Sequence, residues 1–206
     1  TDMLEANDIS CSRGNRDLFR QMSFRVDQGA LLRIHGANGA GKTSLLRMIA
    51  GLSPVESGCI KWQGRELPEL GDDYSKQLAF VGHSNALKAY LSPIENLRAA
   101  LAVQGVLAAD ADLHAVLEEE ELERVVDVAL HRLSAGQQRR VALARIALTQ
   151  SRCLWILDEP FSSLDDAAAK RFSKRLARHA RDGGVVVYTT HQDVPVDAPT
   201  NVLELV

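Results

Sequence analysis

The chain has 206 residues, 46% hydrophobic and 25% charged, an ordinary globular composition with enough length for one good core, so one principal domain with room for a subdomain is expected. A net charge of −3 gives no global electrostatic reason to bind nucleic acid or an anionic membrane, which leaves membrane contact to partner proteins. No apolar run approaches the roughly 20 residues needed to span a bilayer, and Thr1-Asp2-Met3-Leu4-Glu5 is no basic, apolar leader, so the expectation is a soluble, cytoplasmic chain. Three cysteines, Cys11, Cys59 and Cys153, lack metal-type pairing and read as buried reduced thiols rather than a disulfide framework or zinc site.

The first fifty residues alternate strand signals with turns. Leu4 to Cys11 and Met22 to Val26 read as strands, with turns at Gly14-Asn15 and Asp27-Gln28-Gly29. Ala30-Leu31-Leu32-Arg33-Ile34 reads as a short buried strand, and Ser44 to Ala50 as a helix ending at Gly51. Between them Gly36-Ala37-Asn38-Gly39-Ala40-Gly41-Lys42-Thr43 fits G-x-x-x-x-G-K-[ST] at every required position. Its glycines let the backbone curl around phosphates, so that successive N–H groups and the positive end of the helix dipole face an anion. Lys42 would reach the β- and γ-phosphates and Thr43 would offer its hydroxyl to Mg²⁺, with Ser44 opening the helix beside them. The plain alternative, a glycine-rich turn before an ordinary helix, does not account for the Lys-Thr ending.

Further on, Pro54 belongs to the turn after this helix, Ser57 to Gly64 reads as a strand bounded by glycines, and Leu78 to Gly82 as a buried one. Ser92-Pro93-Ile94-Glu95 is a capping box with proline at the first helical position, so a helix should start there and run towards Gln104-Gly105. Asp112 to Arg124 suits a mostly exposed helix or helix pair, and the run Glu118-Glu119-Glu120-Glu121 reads as a solvated face rather than a metal site. A helix is expected from Ala135 to about Thr149 and a buried parallel strand over Cys153 to Leu157. Ala167 to Ala180 is an amphipathic helix whose Lys170, Arg171, Lys174, Arg175 and Arg178 read as another solvated face. Gly183-Gly184 stops it before a last buried strand, Val185 to Thr190.

A phosphate loop alone leaves kinases, GTPases and many ATPases open. Asp158-Glu159 narrows them, because a carboxylate at the end of an apolar strand beside the loop is placed to hold Mg²⁺, the role expected of Asp158. Glu159, one residue on, can orient and partly deprotonate an attacking water.

The third element is Leu133-Ser134-Ala135-Gly136-Gln137-Gln138. With residues 36 to 43 and 154 to 159, in that order, it resembles the ATP-binding cassette (ABC) ATPases, whose signature is LSGGQ; Ala135 replaces the first glycine. Ser134 caps a helix whose first N–H groups are unsatisfied, which makes an anion site. The resemblance implies that Ser134, Gly136 and Gln137 face the γ-phosphate held by the phosphate loop of a second copy, so that two chains close head to tail on two MgATP. It further implies that Ser163-Leu164-Asp165 couples the two sites and that His191 contacts the γ-phosphate; Lys42, Glu159 and His191 are then the catalytic set. The implied fold is α/β: a P-loop ATPase core with a mixed, largely parallel sheet, an N-terminal antiparallel β subdomain and an inserted helical subdomain. The whole chain would be one ABC ATPase domain, with its core at 1–84 and 132–206 and the helical subdomain at 85–131.

Two positions depart from the family pattern. His83 stands where glutamine usually senses the γ-phosphate and Mg²⁺, and Cys11-Ser12-Arg13 stands where an aromatic usually stacks on adenine; Arg13 can lay its guanidinium plane on the base instead. Val81-Gly82-His83, Leu91 to Leu97, Leu133 to Arg140 and Leu154 to Phe161 together resemble the branch of the family that serves bacterial cytochrome c maturation and haem handover. That branch implies integral membrane permease subunits as partners and a place on the cytoplasmic face of the bacterial inner membrane. The other readings are an ABC ATPase for another small substrate, a soluble ABC machine without membrane partners, and an unrelated phosphate-loop kinase, which does not explain Ser134 to Gln137.

Overall fold

The computed structural model describes residues 2–149 and 153–205. Two long strands open the chain, β1 (Asp2–Arg13) and β2 (Arg16–Asp27), paired antiparallel around Gly14 at φ 62°. Both run further than the sequence suggests, because register shifts after Ala6 and Ile9 absorb the positions that break alternation. β3 (Leu31–Gly36) leads through the glycine-rich loop into α1 (Lys42–Ile49), and β4 (Ser57–Trp62) and β5 (Arg65–Glu66) complete an antiparallel sheet of order β2-β1-β4-β5.

Two short helices, α2 (Leu67–Leu70) and α3 (Asp72–Gln77), precede β6 (Leu78–Val81). The sequence does not announce them, since a turn or two is too short to show a 3.6-residue period. α4 (Pro93–Val103) starts at the expected capping box: the Ser92 side chain accepts from the Glu95 amide and the Glu95 carboxylate accepts from the Ser92 amide. α5 (Asp110–Glu119) ends before Arg124, because Glu121 turns left-handed at φ 56° and a 3₁₀ turn follows at Glu123–Val125. α6 (Ala135–Ala147), β7 (Leu154–Leu157), α7 (Asp166–Arg181), β8 (Val185–Thr189) and β9 (Thr200–Leu205) finish the described chain.

The second sheet has order β6-β7-β8-β3-β9, and all its described pairs are parallel, so antiparallel pairing is confined to the first sheet. Alternation along its central strands sorts the core into two layers. Leu32, Ile34, Leu154, Ile156, Val185 and Val187 face the antiparallel sheet and α1, packing with Leu4, Ile9, Leu46 and Trp62. Leu31, Trp155, Leu157, Val186 and Tyr188 face the opposite side, against Phe161, Phe172 and Leu176. A third cluster gathers Leu97, Leu101, Leu113, Leu117, Leu122 and Leu130. α6 belongs to two clusters: Ala142, Leu143 and Ile146 pack under the parallel sheet, whereas Val141, Ala144 and Ala147 complete the third.

The two charged faces read as solvated are in fact each other's partners. Arg175 pairs with Glu119 at 3.2 Å and, more closely, with Glu120; Arg171 meets Glu121 at 2.7 Å, and Arg140 donates to the Glu120 carbonyl at 2.7 Å. Glu120 is only 4% exposed, so the acid run docks the α5 end onto α6 and α7 rather than facing water. Lys170, Lys174 and Arg178 stay exposed, as expected. The three cysteines are free but half-buried, not buried.

Candidate nucleotide site

Parallel strands direct their carboxyl ends to one edge, and that edge carries the site. The loop after β3 places Gly36, Gly39 and Gly41 at φ 152°, 84° and 101°, in the region that favours glycine. A Cβ on Gly36 would lie 2.5 Å from the Leu205 carbonyl oxygen, so β9 forbids any side chain there, while Gly39 faces open space. Asn38, Gly39, Gly41, Lys42, Thr43 and Ser44 line a cavity of about 690 Å³. Gly36, Ala37 and Ala40 form its back: Lys42 Nζ donates to the carbonyls of Gly36 at 2.7 Å and Ala37 at 3.1 Å, and the Ala40 amide donates to Ala37 at 3.2 Å. The buried Lys42 ammonium thus sits on two loop carbonyls at the start of α1, where helix N–H groups face an anion.

On the other wall, Asp158 follows directly on β7 and is 2% exposed. Its Oδ2 accepts from Thr43 Oγ1 at 2.8 Å and its Oδ1 from Thr189 Oγ1 at 2.7 Å. Thr189 Oγ1 also accepts from the Glu159 amide at 2.9 Å, so one hydroxyl orders both acidic residues. Glu159 is left-handed at φ 50°, a strained conformation for this residue type. Its Oε2 accepts from the His191 amide at 3.2 Å, while its Oε1 is buried without a hydrogen-bond donor, 3.4 Å from His191 Nε2. The same Nε2 stands 3.4 Å from Lys42 Nζ, so His191 bridges the loop and the acid pair. Arg33 holds the segment beyond it, donating to Asp193 Oδ1 at 3.0 Å and to the Gln192 carbonyl at 3.2 Å.

Arg13 and His83, read from sequence as site residues, line the same cavity from its rim. The signature residues do not. Ser134 Oγ accepts from the Gln137 amide at 3.2 Å and Gln137 Oε1 accepts from the Ser134 amide at 2.9 Å, closing a capping box at the start of α6 that faces outside this cavity. Gly136 is there for proximity: a Cβ would come within 2.7 Å of the Ser163 carbonyl oxygen. The chain therefore assembles Lys42, Thr43, Asp158, Glu159 and His191 around one cavity, and Ser134, Gly136 and Gln137 lie outside it.

A family profile described as ABC transporter matches residues 19–162, a span reaching from β2 across the phosphate loop and signature motif to the acid pair. The chain belongs to the ABC transporter family. Among curated ABC proteins, the cytochrome c biogenesis ATP-binding export protein CcmA of Dechloromonas aromatica (strain RCB) is 46% identical over 198 residues, covering 96% of this chain and 97% of that protein. Its namesake from Aromatoleum aromaticum (strain DSM 19018 / LMG 30748 / EbN1) is 45% identical over 210 residues, covering 100% of this chain and 96% of that protein. Among solved structures, an ATP-binding subunit of an ABC transporter superposes with a TM-score of 0.80 at 29% identity, covering 92% of this chain and 80% of that one. A dimeric ATP-binding cassette in a post-hydrolysis state, bound to ADP and Pi, superposes with a TM-score of 0.78 at 25% identity, covering 92% and 88%.

Within this ABC cassette, four residues of the site escape a sequence reading. Arg16 and Leu18 line the cavity beside Arg13, with Leu18 packed under Gly41; the hairpin pairing of Arg13 with Arg16 was the available signal. Thr189 sits at the carboxyl end of the strand next to β7, where polar residues of a parallel sheet gather at ligands. Arg139 is 2% exposed and shares a stripe with Ala142, Leu143 and Ile146, spacing that marks it as inward-facing despite its charge.

Proposed function

We propose that this ABC ATPase is the ATP-hydrolysing subunit of a bacterial export complex for cytochrome c maturation, driving haem export or release of a haem chaperone. Hydrolysis rests on one observation above others: Glu159 Oε1 is a buried acceptor without a hydrogen-bond donor among the described residues, 3.4 Å from His191 Nε2. An attacking water would supply the missing donor and meet a base already aimed at it. Similarity to CcmA proteins along essentially the whole chain supports the pathway.

The roles follow from position. The loop amides and Lys42 would hold the phosphates, Thr43 and Asp158 would hold Mg²⁺, and His191 would meet the γ-phosphate. A pair of protein oxygens beside a phosphate cradle suits Mg²⁺, which would neutralise phosphate charge there. Arg13 takes the base and His83 the place of a γ-phosphate sensor. Ser134, Gly136 and Gln137 serve the site of a second copy, closing a dimer over two MgATP. The helical subdomain, 85–131, and the segment after His83 receive membrane permease subunits, while 1–84 and 132–206 form the catalytic core. No helix among the described residues is long and apolar enough to cross a membrane, so in this reading attachment at the cytoplasmic face of the inner membrane is through those partners.

The test is genetic and biochemical together. Deleting the gene in its host should abolish accumulation of c-type cytochromes; the native chain should restore it and Lys42→Ala should not. Capture of the tagged chain from detergent-solubilised membranes should bring integral membrane subunits with it. Normal cytochrome c in the deletion strain overturns the pathway, and exclusively water-soluble partners overturn the transporter assembly.

A further inference from the structure

Arg139 is a positive charge on the signature helix, 98% removed from solvent, and its hydrogen bonds among the described residues go to backbone carbonyls and one side-chain amide oxygen. Nη2 donates to the carbonyls of Asp158 and Glu159, each at 2.8 Å; Nη1 donates to Asn85 Oδ1 at 2.8 Å and to the Gly82 carbonyl at 3.3 Å; Nε reaches the Pro160 carbonyl at 3.4 Å. Burial pushes its pKa down to about 10, so the guanidinium remains charged at neutral pH. Burying a cation is costly unless hydrogen bonds and nearby opposite charge offset its desolvation, and here the donors are taken up while the charges of Asp158 and Glu159 favour the guanidinium. The chain leaves β7 after Leu157 and turns left-handed at Glu159, so Arg139 satisfies the Asp158 carbonyl beyond the strand ladder and shares the Glu159 carbonyl with the Ser162 amide, which donates to it at 3.1 Å.

We infer that Arg139 is a positioning residue that locks Glu159 in its strained conformation and fixes the His83 segment, tying both to the helix that presents Ser134 to the other copy. It rests on the reading of the chain as an ATPase that works as a sandwich dimer. Each element it joins has a different duty: α6 carries the half-site used in trans, the 158–160 turn carries the base used in cis, and Gly82 to Asn85 flank His83. A planar fork with fixed donor directions can hold three segments in one register; a lysine cannot. When α6 shifts with the helical cluster it shares, Glu159 and His83 shift together. The reactivity of one site thereby depends on how α6 is seated at the other.

Three variants of the full chain test this: Arg139→Gln, Arg139→Lys and Asn85→Ala. Arg139→Gln and Arg139→Lys should lower kcat by about tenfold or more, while the Kd of a fluorescent ATP analogue changes by less than about threefold, since misplacement of a base hits the chemical step and not ground-state binding. Asn85→Ala removes one acceptor and leaves the turn in place, so a fall in kcat of about two- to fivefold with unchanged Kd is expected, even if both Arg139 variants prove unstable. In a Glu159→Gln background, ATP-driven dimerisation measured by gel filtration should survive Arg139→Gln. Native kcat in Asn85→Ala and in the folded Arg139 variants overturns the assignment, as does loss of nucleotide affinity in step with kcat. Lack of ATP cleavage by the native chain and of a dimer in Glu159→Gln would overturn the ATPase sandwich reading, and this inference with it.

Discussion

Thr43 Oγ1 donates to Asp158 Oδ2 across 2.8 Å, closing a contact between residues 115 positions apart in sequence. It joins the end of the phosphate loop to the end of β7, and the two oxygens are those assigned to Mg²⁺. Thr43→Val keeps the shape and removes the hydroxyl. The Mg²⁺ concentration for half-maximal ATPase should rise about tenfold, a common cost when a ligand's hydrogen-bonded partner is lost. Thr43→Ser should restore it. Mg²⁺ titrations of steady-state ATPase check both variants.

Glu159→Gln should bind nucleotide as the native chain does and hydrolyse it about a hundredfold or more slowly, the usual weight of a general base. Glutamine preserves the left-handed turn and an acceptor for the His191 amide, so the loss isolates proton abstraction. Gel filtration with and without MgATP should then show an ATP-dependent dimer. A native turnover rate in this variant would remove Glu159 from the base role.

The ion cluster beneath the helical cluster predicts unequal costs. Arg175→Ala strands Glu120, a carboxylate whose side chain is 5% exposed, and should destabilise the chain by about 3 kcal/mol. Arg171→Ala breaks a pair whose Glu121 side chain is 62% exposed and should cost less than about 1 kcal/mol. Urea unfolding of the two variants side by side measures the difference.

His179 stacks on Trp155 with ring centres 3.7 Å apart, and burial pushes its pKa from 6.5 down to about 4. Between those values the unfolded chain binds a proton that the folded chain refuses. Stability therefore falls as pH drops through this window, by at most about 1.4 kcal/mol per pH unit from this residue. His179→Phe keeps the stack and removes the titration. Urea midpoints at pH 7 and pH 5 should lie closer together in His179→Phe than in the native chain.

Legibility in the sequence followed the locality of the signal. The phosphate loop, the Ser92 capping box and the apolar strands at Leu154 and Val185 are contiguous patterns, and the structure forms them within a residue or two. Where meaning depended on distant partners the sequence was silent or misleading. Glu118 to Glu121 and the arginines of α7 each resemble a solvated face, and only tertiary contact turns Glu119 to Glu121 and Arg171 and Arg175 into a dock. Thr189 carries no local mark of its double role between Asp158 and Glu159, since both partners lie about thirty residues upstream, just past the end of another strand.

The shared membership of α6 bears on how such a cassette can be rebuilt. The helical insert has no sealed interior of its own: Val141, Ala144 and Ala147 form one wall of it, on a helix whose opposite side is committed to the catalytic sheet. Excising residues 85–131 would leave those three side chains facing water, and grafting the same stretch onto another scaffold would leave it open along one flank. If the insert receives membrane partners as proposed, one adapted to new partners would have to be exchanged with α6 attached, and α6 brings with it Ser134 and Arg139, so that a change of partner and a change of catalytic timing would travel as one piece.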